Sequence, residues 1–243
     1  MPSLIEKIYL VCYNYSSTTM KAKYTGVIFD LDGTLVDTLG DIAASMNYAL
    51  KAEGFPELPA EEYRDKVGWG IKRLAYLALP GEARQEETAA RIALCAAEFY
   101  AEHPLVYSRA YPGTLELIAG LGRKKIKTAV LTNKPDSAAQ MVIGGLFPPG
   151  SFSIVQGEIS GKPRKPDPAC VWELLIELDL TPANVIFMGD SEIDMEIAVS
   201  SGCFPLGVDW GYRSSETITN AGARRIIREP GELLDFFGAS HEN

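Results

Sequence analysis

Asp30 and Asp32 stand one residue apart, where the apolar run Val27-Ile28-Phe29 ends and Gly33-Thr34 begins. Two carboxylates at that spacing repel each other unless a cation or a proton lies between them, which points to a hard, oxygen-liganded ion such as Mg2+. A second acidic pair, Asp190 and Asp194, follows Gly189 after another apolar run, Val185-Ile186-Phe187-Met188. Asp194 also reads as the N-cap of a helix over 195–200, whereas Asp190 has no such duty. A plain turn would need one aspartate, not the Asp30/Asp32 pair. A helix-loop-helix calcium loop would need Asp or Asn at 34 and Glu at 41, where the chain has Thr34 and Asp41.

These residues need elements to carry them. Val27 to Asp30 reads as a buried strand, with the acidic pair at its carboxyl end, where ligands bind in open α/β sheets. Leu39, Ile42, Ala43, Met46 and Leu50 then form one helical face, stopped by Gly54 and Pro56. Helical pattern continues over 71–79 and through the alanine-rich stretch 82–102. An insertion of about 70 residues without a clear strand is far longer than an ordinary βα loop, and reads as a small helical domain over the strand ends. Its Gly68-Trp69-Gly70-Ile71-Lys72-Arg73 turn is the candidate substrate-reading loop: Trp69 offers a flat surface, and Lys72 or Arg73 could bind a second anionic group. Either basic residue alone fits a solvated interhelical turn as well.

The sheet resumes with a strand over 126–131, followed by Thr132-Asn133-Lys134-Pro135. Thr132 and Asn133, one step past that strand, can donate to a phosphoryl oxygen or simply cap the helix starting near Pro135. The loop Lys162-Pro163-Arg164-Lys165-Pro166-Asp167-Pro168 brings basic groups ahead of a helix over 169–178. Strands at 152–156, 185–188, 204–208 and 225–227 alternate with helices, and a last helix starts at Pro230. The expected fold is α/β, a doubly wound and mostly parallel sheet with an inserted all-helical cap. Residues 24–37 and 110–243 form the core, 38–109 the cap, and 1–23 an extension of unknown role.

Composition sets limits. A chain of 243 residues with 47% hydrophobic content can bury a sizeable core. Its net charge of −9 argues against general nucleic-acid or anionic-membrane binding, so attraction for an anionic substrate must be local. Cys12, Cys95, Cys170 and Cys203 form no CxxC pair, which favours a reduced cytoplasmic setting over a disulfide or zinc framework. His103 and His241 are poorly placed for chemistry, and a carboxylate is the better nucleophile. P-loop and dinucleotide glycine patterns are absent. The sequence leaves oligomeric state open.

Asp30-Leu31-Asp32-Gly33-Thr34-Leu35-Val36-Asp37 resembles the first motif of the haloacid-dehalogenase-like hydrolases, most of which are Mg2+-dependent phosphatases. Thr132-Asn133 resembles the second motif, and Leu-Thr-Asn-Lys-Pro looks like the phosphoglycolate-phosphatase-type members in particular. Lys165-Pro166-Asp167-Pro168 resembles the third motif, which favours Lys165 over Lys162, and Gly189-Asp190 to Asp194 resembles the fourth. By that resemblance Asp30 is the nucleophile and Asp32 the acid-base group. Asp30, the Asp32 carbonyl and Asp190 hold Mg2+, with Asp194 orienting the metal shell, while Thr132, Asn133 and Lys165 hold the phosphoryl group. The implied reaction is hydrolysis of a small phosphorylated metabolite, 2-phosphoglycolate first, with pyrophosphate and nucleoside monophosphates as other substrates. A sugar-phosphate mutase shares both aspartates, and a non-catalytic regulatory protein would keep only the fold. The Asp32 carboxylate argues against a dehalogenase.

Overall fold

The computed structural model describes residues 24–237, so the 1–23 extension lies outside the described residues. Strand β1 (Gly26–Phe29) is buried at all four positions, as a strand covered on both faces must be. Two short strands, β2 (Val36–Asp37) and β3 (Arg109–Ala110), pair antiparallel and bracket helices α1 (Leu39–Ala52), α2 (Ile71–Ala78) and α3 (Glu86–Glu102). Helix α4 (Thr114–Arg123) then leads into β4 (Lys127–Pro135), followed by α5 (Asp136–Leu146) and β5 (Ile154–Glu158). Helix α6 (Ala169–Glu177), β6 (Val185–Gly189), α7 (Glu192–Ser201), β7 (Phe204–Val208), α8 (Ser215–Asn220) and β8 (Arg225–Ile227) complete the alternation.

The main sheet has six strands in the order β5-β4-β1-β6-β7-β8, and every pairing is parallel. Successive side chains of β1 point to opposite faces, and the core divides accordingly. Ile28 packs with Cys170, Val171 and Leu174 of α6 and with Ile197 of α7 on one face. Val27 and Phe29 join α4 and α5 on the other, in an apolar cluster that continues into α1, α2 and α3. The chain winds outward from β1 in both directions, which leaves a crevice at the carboxyl end of the central strands. Phe29 lies opposite Val130 of β4 and Met188 of β6, so the residues that follow these three strands meet at one place.

Several elements depart from the sequence expectation. Strand β4 runs on to Pro135, so Thr132 and Asn133 lie within it; backbone pairing of Pro135 with Glu158 of β5 keeps the chain extended through polar residues. Helix α7 starts at Glu192, three residues early, because Ser191 takes the N-cap. The final segment, Pro230–Phe237, is a 3-10 helix. Asp41 of α1 anchors the chain's return toward β3 by accepting from the backbone N–H groups of Tyr107 (2.9 Å) and Ser108 (2.8 Å).

Candidate active site

Neighbouring strands β1 and β6 end side by side, and the residues just beyond them assemble an acidic centre. Asp30, Asp190 and Asp194 are all buried and offer carboxylate oxygens within 4.8 Å of one another. Lys165 Nζ donates to Asp30 Oδ1 and Asp194 Oδ1, both at 2.7 Å. Asp190 accepts from Thr34 Oγ1 at 3.0 Å and from the Tyr212 backbone N–H at 2.7 Å. Gly33 sits at φ 86°, and a Cβ there would collide with the Asp190 carboxylate. Only glycine lets the turn after Asp32 close against β6 in this way.

Burial, reinforced by the neighbouring Asp194, raises the Asp30 carboxyl well above the usual carboxylate range, against the opposing pull of Lys165. The same two causes push Asp190 up to about 7, opposed by its hydrogen bonds from Tyr212 and Thr34. Burial depresses the Lys165 ammonium, but Asp194 and Asp30 together outweigh it and hold the group charged. Three clustered carboxylates with one ammonium between them suit a hard divalent cation, because such an ion takes oxygen ligands and relieves the repulsion that raises these carboxyls.

The two lysines of the basic loop separate cleanly: Lys165 is buried in the cluster and Lys162 is exposed. Asp194 is not the N-cap of α7. It stands at the third helical position, where its Oδ2 accepts from the Ser191 N–H (3.1 Å) and Oγ (2.6 Å) in a capping box while Oδ1 takes Lys165. Asp32 accepts from Thr38 Oγ1 at 2.6 Å and pairs with Lys134 Nζ at 3.1 Å.

Thr132 Oγ1 accepts from the Lys134 N–H at 3.2 Å, which leaves its own O–H to donate. Asn133 lines the cavity next to Thr132. Its amide donates to the Gly68 carbonyl at 2.9 Å and the Lys165 carbonyl at 3.0 Å, so those donors are spent on tying β4 to two loops; its Oδ1 is buried without a partner among the described residues. Of the Gly68 to Arg73 turn, Gly68, Gly70 and Ile71 line the cavity beside the acidic centre, and Trp69, Lys72 and Arg73 do not. Ile71 and Leu74, three apart on α2, face inward, while Lys72 and Arg73 fall on the solvent side and Trp69 is 41% exposed. Arg73 lies over the Tyr76 ring instead.

Lys134 is the functional group that sequence reasoning passed over, although it directly follows Asn133. It is buried, contacts Asp32, and sits 4.4 Å from the centroid of the Tyr100 ring on α3. The cavity between sheet and helices, about 100 Å³, is lined by Asp30, Asp32, Thr132, Lys134 and Lys165 on the sheet side. Ile42, Met46, Ile71, Leu74 and Tyr100 line it from above.

Fold and centre together define a class: a doubly wound α/β enzyme with an acidic, lysine-bridged site at the carboxyl ends of its central strands. Comparison with known proteins agrees with that class. A family model described as haloacid dehalogenase-like hydrolase matches residues 27–208. A phosphoglycolate phosphatase of Mannheimia succiniciproducens is 32% identical, over 88% of this chain and 99% of its own length. One of Rhodospirillum rubrum is 33% identical, over 87% and 90% respectively. A crystal structure from Lactobacillus delbrueckii subsp. bulgaricus superposes with a TM-score of 0.81 at 31% identity, covering 88% of this chain and 98% of that one. The chain belongs to the haloacid dehalogenase-like hydrolases, on the phosphoglycolate-phosphatase-like branch of the phosphoric monoester hydrolases.

Proposed function

We propose that this chain is a Mg2+-dependent phosphatase that hydrolyses a small organic phosphate monoester through an aspartyl-phosphate on Asp30, with 2-phosphoglycolate as its substrate. The observation that carries this reading is the convergence of Asp30, Asp190 and Asp194 within 4.8 Å of one another, with the Lys165 ammonium bridging Asp30 and Asp194. Relatives at about this level of identity named phosphoglycolate phosphatase support the choice of substrate.

Asp30, Asp190 and the Asp32 carbonyl would hold Mg2+, with Asp194 orienting them; when bound, the ion neutralises charge on the carboxylates and on the phosphoryl oxygens. Asp30 presents a carboxylate oxygen to phosphorus and displaces the alcohol. Asp32, held by Thr38 and Lys134, gives the leaving oxygen a proton and then takes one from the water that cleaves the aspartyl-phosphate. Lys165 stabilises negative charge on the transferring group, and the Thr132 hydroxyl donates to one of its oxygens.

Residues 38–109 act as a cap that excludes bulk water from this exchange. Its apolar ceiling over a charged floor supports that role. Buried Cys170 and Cys203, both free thiols, fit a reducing cytoplasm. The test is release of inorganic phosphate from a panel of phosphorylated metabolites with and without Mg2+, including pyrophosphate, nucleoside monophosphates and sugar phosphates. Fast, Mg2+-dependent release from 2-phosphoglycolate supports the reading. Isomerisation of a sugar phosphate without release would make the chain a mutase, and no turnover of any ester would remove the catalytic reading.

A further inference from the structure

We propose that Lys134 and Tyr100 form a subsite for a carboxylate on the leaving group, so that the chain selects monoesters whose alcohol carries a carboxylate next to the ester carbon. This deepens the phosphatase reading and rests on it.

Two donors without enough acceptors meet on the cavity wall. Tyr100 is 5% exposed, and its hydroxyl has no hydrogen-bond partner among the described residues. Among the described residues the buried Lys134 ammonium meets the Asp32 carboxylate, at 3.1 and 3.4 Å from its two oxygens, and the Tyr100 phenol, whose oxygen can only accept from it and whose O–H is left to donate elsewhere. An ammonium has three N–H groups, and one carboxylate does not occupy them all. A buried hydroxyl left unpaired is costly, so a site that keeps one is completed by what binds there.

Position and chemistry together name the ligand. Asp32 must reach the ester oxygen, and Lys134 touches Asp32; the carboxylate of 2-phosphoglycolate is one methylene from that oxygen. The ceiling of the cavity is otherwise mostly apolar, from Ile42, Met46, Ile71 and Leu74, and the one hydroxyl among these helix residues, that of Ser45, is donated to the Ile42 carbonyl at 2.9 Å. An anionic oxygen therefore has one favourable place, between the ammonium on β4 and the phenol on α3. Because the helices supply one donor and the sheet the other, the subsite exists only while the two are together.

The test compares kcat/KM for 2-phosphoglycolate with that for ethyl phosphate, in which a methyl group replaces the carboxylate. The protein itself, Tyr100→Phe and Lys134→Met are assayed with Mg2+. We expect the parent to favour 2-phosphoglycolate, and the ratio of the two values to fall by about 10-fold to 100-fold in each variant, as for loss of a hydrogen bond to a charged group. Tyr100→Phe keeps the ring and leaves Asp32 untouched, so it separates recognition from any disturbance of the acid-base group. A parent without preference, or a Tyr100→Phe ratio equal to the parent's, overturns the subsite while ethyl phosphate turnover leaves the phosphatase reading standing. If neither these esters nor any other monoester releases phosphate, the phosphatase reading falls and the subsite with it.

Discussion

Asp30 and Asp190 are carboxylates that the fold buries against each other's charge, and two predictions follow from that. Replacing Asp30 with Asn keeps the size and removes the carboxylate oxygen proposed as the nucleophile. Turnover should vanish while circular dichroism and Tm stay close to the parent's, and phosphate release above background would remove Asp30 as nucleophile. Asp190 titrates near 7 in the folded chain without an ion, against about 3.8 as the ordinary value. A raised acid favours the protonated fold, so its contribution to stability is full below the ordinary value and is lost as pH rises through about 7. Chelator-treated protein should therefore lose Tm between about pH 4 and 7, while Mg2+ should raise Tm more at the alkaline end, because the ligand must be deprotonated to bind. A Mg2+ effect independent of pH in thermal scans would show that Asp190 does not carry the linkage.

At the scale of elements, the site depends on how closely the turn after β1 approaches the loop after β6. Gly33 is the point of contact, at a positive φ and with no room for a Cβ beside Asp190. Gly33→Ala should cost about 1–3 kcal/mol from backbone strain alone. It should also weaken Mg2+ binding, because the Asp190 carboxylate must move; calorimetric titration with Mg2+ that matched the parent would contradict this. Strand β4 does a related job. Its extension to Pro135 carries Thr132, Asn133 and Lys134 through an irregular stretch of the β4–β5 pairing, and the Asn133 amide ties Gly68 to Lys165. The change in pattern at Thr132 marked a strand end by composition, whereas pairing with β5 decided otherwise.

At the scale of the molecule, the helical segment is fastened to the sheet side by a few polar contacts. Arg213, in the loop after β7, donates to the carbonyls of Val67 (2.8 Å), Asp65 (3.2 Å) and Arg64, and pairs with Glu192. Arg64 returns the contact by donating to the Gly211 carbonyl at 3.1 Å. Arg213→Ala should loosen the segment, and it also removes a positive charge that favours the ionised Asp190 carboxylate. Limited proteolysis within 38–109 should quicken, and KM should rise by roughly 10-fold, on the scale of losing hydrogen bonds to a charged group. Proteolysis at the parent's rate would mean that apolar packing alone holds the two parts together.

What the amino-acid order determined by itself is what local pattern encodes: apolar runs that make buried strands, the carboxylates at their ends, and the helical periodicity of the long insertion. Asp30, Asp32, Asp190 and Asp194 were legible because each follows such a run within a few residues. The fold alone decided which side chains meet across sequence distance. Lys165, in the loop after β5, joins Asp30 over 135 positions and Lys134, on β4, joins Asp32 over 102, and both pairings depend on the strand order β5-β4-β1. The inward face of α2 belongs to Ile71 and Leu74, not to the basic residues beside them, and the spent amide of Asn133 and the unpaired hydroxyl of Tyr100 likewise have no sequence signature. Hydrogen-bond partners and burial are properties of neighbours in space, and only packing the helices onto the sheet makes these residues neighbours.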